Sequence, residues 1–252
     1  MAAASRGPDE TAAPDAPYPV PYAALVTDGA GPIGRALALA LADAGFAVAV
    51  HHRGAAVEAA GLTSEIGRRG GRAATLEADL ASERATAALV ARAEADLGPI
   101  GVLVNSAGVF EDDTIETATR ASWDRHLETN LRAPFVLMQE FARRLPAAAG
   151  GVVVNILDRR VVSLTAHHVS YTVAASGLAT LTRTLALALA PRIRVNGIRP
   201  GLPLAGPRFA ASGFTRDPPP AGTATPGESA RALRFILDTP AMTGEILALH
   251  AA

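Results

Sequence analysis

The chain contains no cysteine, and all 23 of its basic residues are arginine, so lysine is absent as well. Without cysteine there are no disulfides and no thiolate chemistry, and without lysine no distant ammonium group can replace one that a catalytic site lacks. Aromatic residues make up only 4% of a chain that is 49% hydrophobic, which predicts a core of Ala, Val and Leu. The net charge is −1 and the basic residues are scattered, so we expect no nucleic-acid partner and no membrane partner.

The 252 residues are enough for one large α/β domain with a sizeable core. Residues 1–20 are rich in Ala and Pro and lack the apolar segment of a signal peptide, which predicts a flexible N-terminal tail. No apolar run reaches the length of a membrane-spanning helix without a polar interruption. We therefore expect a single domain over residues 21–252, in a soluble, cytoplasmic protein with no metal site.

Short apolar segments rich in β-branched residues alternate with longer Ala- and Leu-rich segments of helical period. This alternation predicts a parallel sheet buried on both faces. Right-handed crossovers then give a single doubly wound parallel sheet, a Rossmann-like α/β fold of about seven strands with helices on both faces. The predicted strands cover 22–27, 46–51, 72–78, 101–106, 151–157, 192–198 and 245–250, and the predicted helices cover 33–44, 56–69, 82–97, 118–145, 168–190 and 227–237.

Residues 200–226 break this alternation, because they are dense in Pro and Gly and have no helical or strand period. A long irregular loop in a compact domain is usually a functional lid or partly disordered. In a doubly wound sheet this loop follows a strand at the carboxyl edge, where ligands bind. We predict a loop on the substrate side of the site.

A glycine-rich turn, T-D-G-A-G-P-I-G at 27–34, joins the first predicted strand to the first predicted helix. Glycines at such a turn let the backbone approach a pyrophosphate, and the N-terminus of the following helix supplies N–H donors. We predict a nucleotide site in which Gly29, Gly31, Ile33 and Gly34 contact the cofactor. Gly31 and Gly34 are expected to lie close to the phosphates.

The second predicted strand ends in His51-His52-Arg53-Gly54. At this position an acidic side chain binds the ribose hydroxyls of NAD, whereas a guanidinium accepts the 2′-phosphate of NADP. The segment has no acid and does have Arg53, which favours NADP(H) as the cofactor. The alternative is that Arg53 is a solvated loop arginine.

With these residues the chain resembles the short-chain dehydrogenase/reductase family from about residue 21 onward. The glycine turn is similar to that family's T-G-x-x-x-G-x-G, and further motifs follow in the family's order. The resemblance implies that Asn130 holds a proton-relay water. It also implies cofactor contacts at Asp79 and Leu80 after the third strand, at Asn105, Ala107 and Gly108 in the N-S-A-G segment, and at Pro200 and Gly201 after the sixth strand.

Within the family the chain most resembles the pteridine-reductase-like branch, which carries His-Arg where His52-Arg53 stand here. That branch uses Asp in place of the usual catalytic Ser, and Asp158 stands thirteen residues before Tyr171. The resemblance implies hydride transfer from NADPH to a dihydropterin, or to another carbonyl or imine, with Tyr171 as the proton donor. Phe110 looks like the aromatic residue that stacks the pterin ring, although it could equally cap the carboxyl edge of the sheet.

The resemblance breaks at several positions, and two of them bear directly on cofactor binding and catalysis. In the family a lysine four residues after the tyrosine holds the nicotinamide ribose and lowers the tyrosine's pKa, but here that position is Ala175. Asp28 replaces the first glycine of the phosphate turn, and its carboxylate would weaken dinucleotide binding unless it turns outward. We therefore expect impaired catalysis.

Two functions stay open at this point. One is a reductase acting on a small-molecule substrate, and the other is a catalytically inactive subunit or regulator that acts through oligomerisation or ligand binding. Family members usually pair through the helices that correspond to 118–145 and 168–190. The resemblance therefore implies a homo-dimer or homo-tetramer, with a hetero-oligomer containing an active paralogue as the alternative.

Overall fold

The computed structural model of this chain describes residues 20–201 and 225–249. Seven parallel strands form one sheet in the order β3-β2-β1-β4-β5-β6-β7, which confirms the predicted doubly wound α/β fold. Each predicted strand is present within two residues of its expected ends. The strands are β1 (Ala23–Val26), β2 (Ala47–His52), β3 (Ala73–Glu77), β4 (Val102–Asn105), β5 (Gly151–Ile156), β6 (Ile193–Arg199) and β7 (Ile246–Ala248).

Helices cover both faces of the sheet. They are α1 (Pro32–Asp43), α2 (Ala56–Arg68), α3 (Glu83–Leu97), α4 (Arg120–Leu127), α5 (Ala133–Arg144), α6 (Val169–Leu189) and α7 (Pro226–Leu237). Helices α1, α2 and α7 contribute to the core on one face, while α3, α5 and α6 contribute to the core on the other.

The alternation of side chains along β1 divides the core into these two layers. Ala23 and Leu25 belong to the layer beneath α3, α5 and α6, and Ala24 and Val26 belong to the layer beneath α1, α2 and α7. All four residues are almost fully buried. Because successive side chains of a strand point to opposite faces, a strand between two helical layers must be apolar at every position.

The predicted helix over 118–145 is interrupted, and this is the largest departure from the expected elements. A π-helical turn, Glu128–Arg132, separates α4 from α5. Pro134 explains part of the interruption, because a proline has no N–H to donate to the carbonyl of Asn130 four residues earlier. Such π turns are frequent at functional sites.

Two expectations fall mainly outside the described residues. The predicted tail over 1–20 is described only at residue 20, and the predicted substrate-side loop over 200–226 is described only at its two ends. Of the helices in the described ranges, α6 alone is long and apolar enough to span a membrane. Its buried face packs against the sheet, as expected of a core helix, so it is no evidence for a membrane span.

Candidate active site

The predicted site residues gather at the carboxyl edge of the sheet. The chain runs outward from β1 through β2 to β3 and then returns to place β4 on the other side of β1. This reversal opens a crevice between the loops that follow β1 and β4, which is where doubly wound sheets bind dinucleotides. Residues from the exits of β1, β2, β3, β4, β5 and β6 all lie along this edge.

The turn between β1 and α1 has a backbone too close-packed for side chains at its glycines. A β-carbon on Gly34 would lie 2.1 Å from the Asp28 carbonyl oxygen, and one on Gly29 would lie 2.9 Å from Val50 Cγ1. Gly31 is the N-cap of α1 and leaves the first N–H groups of that helix facing the crevice. Ile33, in the first turn of α1, is buried. The turn therefore suits a pyrophosphate.

The Asp28 side chain lies against Gly31 in this turn. Its Oδ2 lies 2.5 Å from the position that a β-carbon on Gly31 would occupy. The residue adopts a left-handed backbone with φ of 48°, which glycine adopts freely and aspartate tolerates better than most residues. The expectation that the carboxylate weakens binding stays a prediction.

His51 holds this conformation from β2. Its Nδ1 accepts the Asp28 N–H at 3.2 Å, so its Nε2 carries the proton and donates to the Ala78 carbonyl at 3.2 Å. Burial, foremost, lowers the pKa of His51 from 6.5 to about 4, and the imidazole is therefore neutral at pH 7. His51 had no role predicted from the sequence.

Thr27 ties the glycine turn to the loop after β4. Its hydroxyl oxygen accepts the N–H groups of Ser106 and Ala107 at 2.9 Å and 3.0 Å. Below this loop, Asn105 donates to Asn155 at 2.8 Å, within a buried polar chain that links β4 and β5 to α6. The predicted cofactor positions Asn105 and Ala107 are thus fixed relative to the turn.

The predicted adenosine end lies at the exits of β2 and β3. Arg53 and Asp79 are both about half exposed and form an ion pair at 3.6 Å. Leu80 is buried beside them in the chain, and His52 is buried with its Nδ1 lacking a hydrogen-bond partner among the described residues. The exposed Arg53 guanidinium at this end fits the 2′-phosphate of NADP, with Asp79 as a competing anion.

Tyr171 lies in the first turn of α6 and is 6% exposed. Burial, foremost, raises the pKa of its phenol well above the ordinary value, and the charge of Asp158 and its hydrogen bond with the phenol raise it further. Arg160 acts in the opposite direction on the same pKa. The structure thus brings together Asp158 and Tyr171, the two residues that the family resemblance pairs across thirteen positions. Ala175 lies one turn further along α6 and is buried in the same cluster.

Asp158 and Arg160 belong to one short 3₁₀ turn, Arg159–Val161, that follows β5. The Asp158 carboxylate caps this turn by accepting the Arg160 N–H at 2.8 Å. The same carboxylate oxygen pairs with Arg160 Nη1 at 3.3 Å, and both side chains are less than one tenth exposed. Arg160, like His51, had no role predicted from the sequence.

Phe110 is enclosed by other side chains. Its ring centroid lies 4.7 Å from that of Tyr171, edge to face, and 4.4 Å from that of His168. The Arg160 Cζ lies 4.7 Å from the same centroid. The ring is only 9% exposed, so stacking a substrate on it requires one of these neighbours to move.

A buried polar chain anchors the start of α6. The Asp113 carboxylate accepts the Ser170 N–H at 3.1 Å and also binds the Ser170 hydroxyl. His126 Nε2 accepts the Glu111 N–H at 3.1 Å, so its Nδ1–H donates to the Ser170 hydroxyl at 2.6 Å. The His126 ring also packs against Tyr171, with centroids 5.8 Å apart. Asp113 therefore replaces the side-chain cap that His168, the N-cap residue of α6, does not provide.

Asn130 lies in the π turn and binds the loop after β4. Its Oδ1 accepts the Val109 N–H at 2.7 Å, and its Nδ2 donates to the Val109 carbonyl at 2.7 Å. Gly108 lies beside this amide, where a β-carbon would contact Asn130 Oδ1 at 3.6 Å. Pro200 and Gly201, the last predicted cofactor positions, follow β6 at the same edge of the sheet. The relay role of Asn130 and the cofactor contacts stay predictions.

Comparison of the sequence with known proteins identifies the family. The family model described as short chain dehydrogenase matches residues 22–206. The chain belongs to the short-chain dehydrogenase family. An uncharacterized oxidoreductase, YgfF, from Escherichia coli K12 is 35% identical over 71% of this chain and 74% of its own. The 3-oxoacyl-[acyl-carrier-protein] reductase FabG of Staphylococcus epidermidis is 30% identical over 71% of this chain and 73% of its own.

Solved structures of this oxidoreductase family extend the comparison over most of the chain. FolM alternative dihydrofolate reductase 1 from Brucella canis, complexed with NADP, has a TM-score of 0.80 and 38% identity, covering 90% of this chain and 92% of its own. A short chain dehydrogenase from Burkholderia cenocepacia, also with NADP, has a TM-score of 0.79 and 29% identity, covering 90% and 95%. NADP-bound members of the family thus support NADP(H) as the cofactor, and the FolM protein fits the pteridine-reductase-like branch.

Proposed function

We propose that this protein is an NADPH-dependent reductase of a dihydropterin or of a related small carbonyl or imine substrate. The observation that carries the proposal is the pairing of Asp158 with Tyr171 at the carboxyl edge of the sheet. The similarity to a protein named as an alternative dihydrofolate reductase supports the pterin class of substrate. The proposal includes a cytoplasmic location, because the reaction consumes NADPH.

The proposed roles follow from the chemistry of each group. When bound, NADPH supplies the hydride that adds to the C=N or C=O carbon. Tyr171 gives its phenol proton to the substrate nitrogen or oxygen, and the phenolate then regains a proton from water. Asp158 accepts a hydrogen bond from an N–H of the substrate, as a carboxylate suits a pterin ring better than a serine hydroxyl does. Arg53 binds the 2′-phosphate.

The proposal includes slow turnover. Ala175 cannot hold the nicotinamide ribose, and the inward carboxylate of Asp28 repels the pyrophosphate. We therefore expect a higher KM for NADPH than a family member with lysine and glycine at these positions would have. The kcat is expected to suffer as well, because a loosely held nicotinamide spends less time in the geometry for hydride transfer.

NADPH oxidation by the purified chain, with dihydropterins, dihydrofolate and a panel of carbonyl compounds, tests this proposal. Tyr171→Phe removes the proton donor and is expected to lower kcat by about 10²–10⁴-fold while leaving the KM for NADPH unchanged. Tyr22→Phe is the matched control, because Tyr22 is 60% exposed and lies at the other end of the sheet. Turnover no faster than that of Tyr171→Phe across the whole panel would contradict the proposal.

A second candidate function, a non-catalytic subunit, has its own support in Ala175 and in the surface of α5 and α6. A shallow apolar cavity of about 220 Å³ lies between these helices and is lined by Phe135, Met138, Leu185 and Leu189, among others. Such a surface suits self-association or pairing with an active paralogue. Light scattering of the pure chain detects self-association, and co-purification from the source cells detects an active paralogue. A strictly self-associating chain with reductase activity would exclude the second candidate.

A further inference from the structure

Tyr171 lacks the lysine that its family places four residues later, yet a buried cation lies beside it. Arg160 reaches the tyrosine from the 3₁₀ turn after β5, eleven positions earlier in the chain. Its Cζ lies 6.0 Å from the centroid of the Tyr171 ring and 4.7 Å from that of Phe110. We propose that the Arg160 guanidinium supplies the positive charge beside Tyr171 that the family's lysine supplies from the position of Ala175. This inference rests on the proposed reductase function.

The local fold explains why Arg160 turns inward and its neighbour does not. A 3₁₀ turn has three residues per turn, so consecutive side chains point about 120° apart. Asp158 caps the turn and draws the Arg160 guanidinium back over it, whereas Arg159 is exposed to solvent. Two adjacent arginines thus differ in burial and supply a matched pair for experiment.

Arginine suits this position better than lysine would. A guanidinium is planar, stacks on aromatic rings and keeps its charge when it is buried, whereas a buried ammonium readily loses its proton. The Phe110 ring and the Asp158 carboxylate are two contacts of this buried cation. The Arg160 side chain is 8% exposed, so solvent screens its charge weakly.

The charge acts on the proton-transfer step. After hydride addition, the phenol O–H bond of Tyr171 breaks and its proton bonds to the substrate heteroatom, which leaves a phenolate. Asp158 disfavours that anion, and Arg160 both neutralises the carboxylate and attracts the phenolate, which lowers the pKa of Tyr171. The other ionisable groups nearby are His126, which is held neutral by its hydrogen bonds, and His168, which packs on Phe110 and pairs with Asp112 at 3.4 Å. The Asp113 carboxylate binds the adjacent Ser170. Of the described residues around Tyr171, Arg160 is therefore the source of permanent positive charge.

Arg160→Met and Arg159→Met separate this role from a general effect of removing charge. We expect Arg160→Met to lower kcat at neutral pH by about tenfold to a hundredfold, part of the range that a general acid supplies. The KM for NADPH should not change, and the alkaline limb of the pH profile should move to higher pH. Arg160→Lys should retain part of the activity, and Arg159→Met should behave as the parent.

The substitution Ala175→Lys provides a rescue test. In the parent chain an ammonium at this position would face the guanidinium of Arg160, so its charge adds little to kcat there, whereas any gain from holding the nicotinamide ribose is expected to be the same with and without Arg160. In Arg160→Met the same lysine would restore the missing charge, and kcat should recover most of its loss. Equal gains in both backgrounds would show that Arg160 and the lysine position act independently, which would overturn the inference.

A readout independent of turnover comes from titrating the phenol itself. Trifluorotyrosine at position 171, whose phenol is more acidic than that of tyrosine, is followed by fluorine NMR with pH. We expect Arg160→Met to raise the phenol pKa and Arg159→Met to leave it unchanged. If Arg160→Met does not fold because Asp158 is left unpaired, Asp158→Asn is compared with Asp158→Asn/Arg160→Met, and the second should have the higher phenol pKa.

These measurements separate the two proposals. A parent chain without turnover would refute the reductase function, while the phenol titration would still decide whether Arg160 tunes Tyr171. An unchanged phenol pKa in Arg160→Met would overturn the inference even in an active enzyme. A rise confined to the KM of the substrate would do the same, because it would show that the guanidinium binds the substrate.

Discussion

The carboxylate of Asp28 lies over Gly31, with Oδ2 2.5 Å from the position that a β-carbon on that glycine would occupy. A negative charge therefore stands at the N-terminus of α1, where the turn is shaped for the anionic pyrophosphate. The carboxylate gains from the helix dipole in the free protein, and we expect a bound dinucleotide to be weakened by its presence.

Removing this charge is expected to tighten cofactor binding. Asp28→Asn keeps the shape and tolerates the left-handed backbone, and Asp28→Gly also removes the side chain. Both should lower the Kd for NADPH by about tenfold, equivalent to ~1.4 kcal/mol, as measured by cofactor fluorescence. Asp43→Asn, at an exposed carboxylate on the far end of α1, is the control. An unchanged Kd in both Asp28 variants would show that the Asp28 carboxylate does not weaken NADPH binding.

Gly34 is expected to tolerate no side chain. In Gly34→Ala the new methyl group would meet the Asp28 carbonyl at 2.1 Å, and because that neighbour is backbone, the turn itself must shift. We expect a loss of about 1–3 kcal/mol in the free energy of unfolding, measured by urea denaturation. Gly61→Ala, in the open interior of α2, should instead gain up to ~1 kcal/mol. Equal stability of the two variants would refute the close approach.

The buried histidines are expected to make the fold sensitive to acid. His51 has a pKa lowered to about 4, against 6.5 when unfolded, so the unfolded chain binds one more proton between these values. The free energy of unfolding should therefore fall as the pH drops from about 6.5 towards 4, by on the order of 3 kcal/mol from this residue. Burial also lowers the pKa of His126, which contributes in the same direction.

Substitution at His51 tests this pH dependence. His51→Gln cannot take up the proton, so its unfolding free energy should be lower at neutral pH but should vary less with pH across that window. In His167→Gln, at an exposed histidine, the unfolding free energy should vary with pH as it does in the parent. If urea denaturation at several pH values gives the same pH dependence of the unfolding free energy for the parent and His51→Gln, the neutral buried imidazole is not the cause of the acid sensitivity.

Asp113 is expected to position Tyr171 through the first turn of α6. Asp113→Ala would leave the Ser170 hydroxyl and N–H buried without their acceptor, at a cost of about 1–3 kcal/mol. It should also lower kcat, because the start of the helix that carries Tyr171 loosens, while the KM for NADPH should change little. Glu116→Gln in the same loop, at an exposed residue, should leave both quantities unchanged. A kcat equal to the parent's at full folding would remove Asp113 from any positioning role.

The periodicity of the sequence was sufficient to predict the sheet and its helices. Each strand is apolar at successive positions because it is buried on both faces, and that pattern is local. The π turn was not predicted, although Pro134 is a local signal for it. A proline inside a helical pattern removes the hydrogen bond to the carbonyl four residues earlier, here that of Asn130, and so favours an interruption at that point.

Much of the candidate site could be placed from motifs, because its residues follow strand ends in a fixed order. The pairing of Asp158 with Tyr171 was expected from the family resemblance, in which an Asp stands thirteen residues before the Tyr. The clamp of His51 on Asp28, the anchoring of Ser170 by Asp113 and the inward turn of Arg160 could not be predicted in this way. The first contact joins residues on two neighbouring strands, and the second joins residues 57 positions apart in the chain. The third depends on how one short turn directs its side chains.

The π turn between α4 and α5 holds one residue more than an α-helix would need. Deleting a residue from Glu128–Arg132 would let the two helices fuse, and each residue advances an α-helix by about 100° of rotation. His126 would then swing by that angle relative to α5 and leave the hydroxyl of Ser170. The rotation of α4 about its own axis is therefore set by the number of residues in the π turn. The one extra residue of that turn places the His126 imidazole against Tyr171.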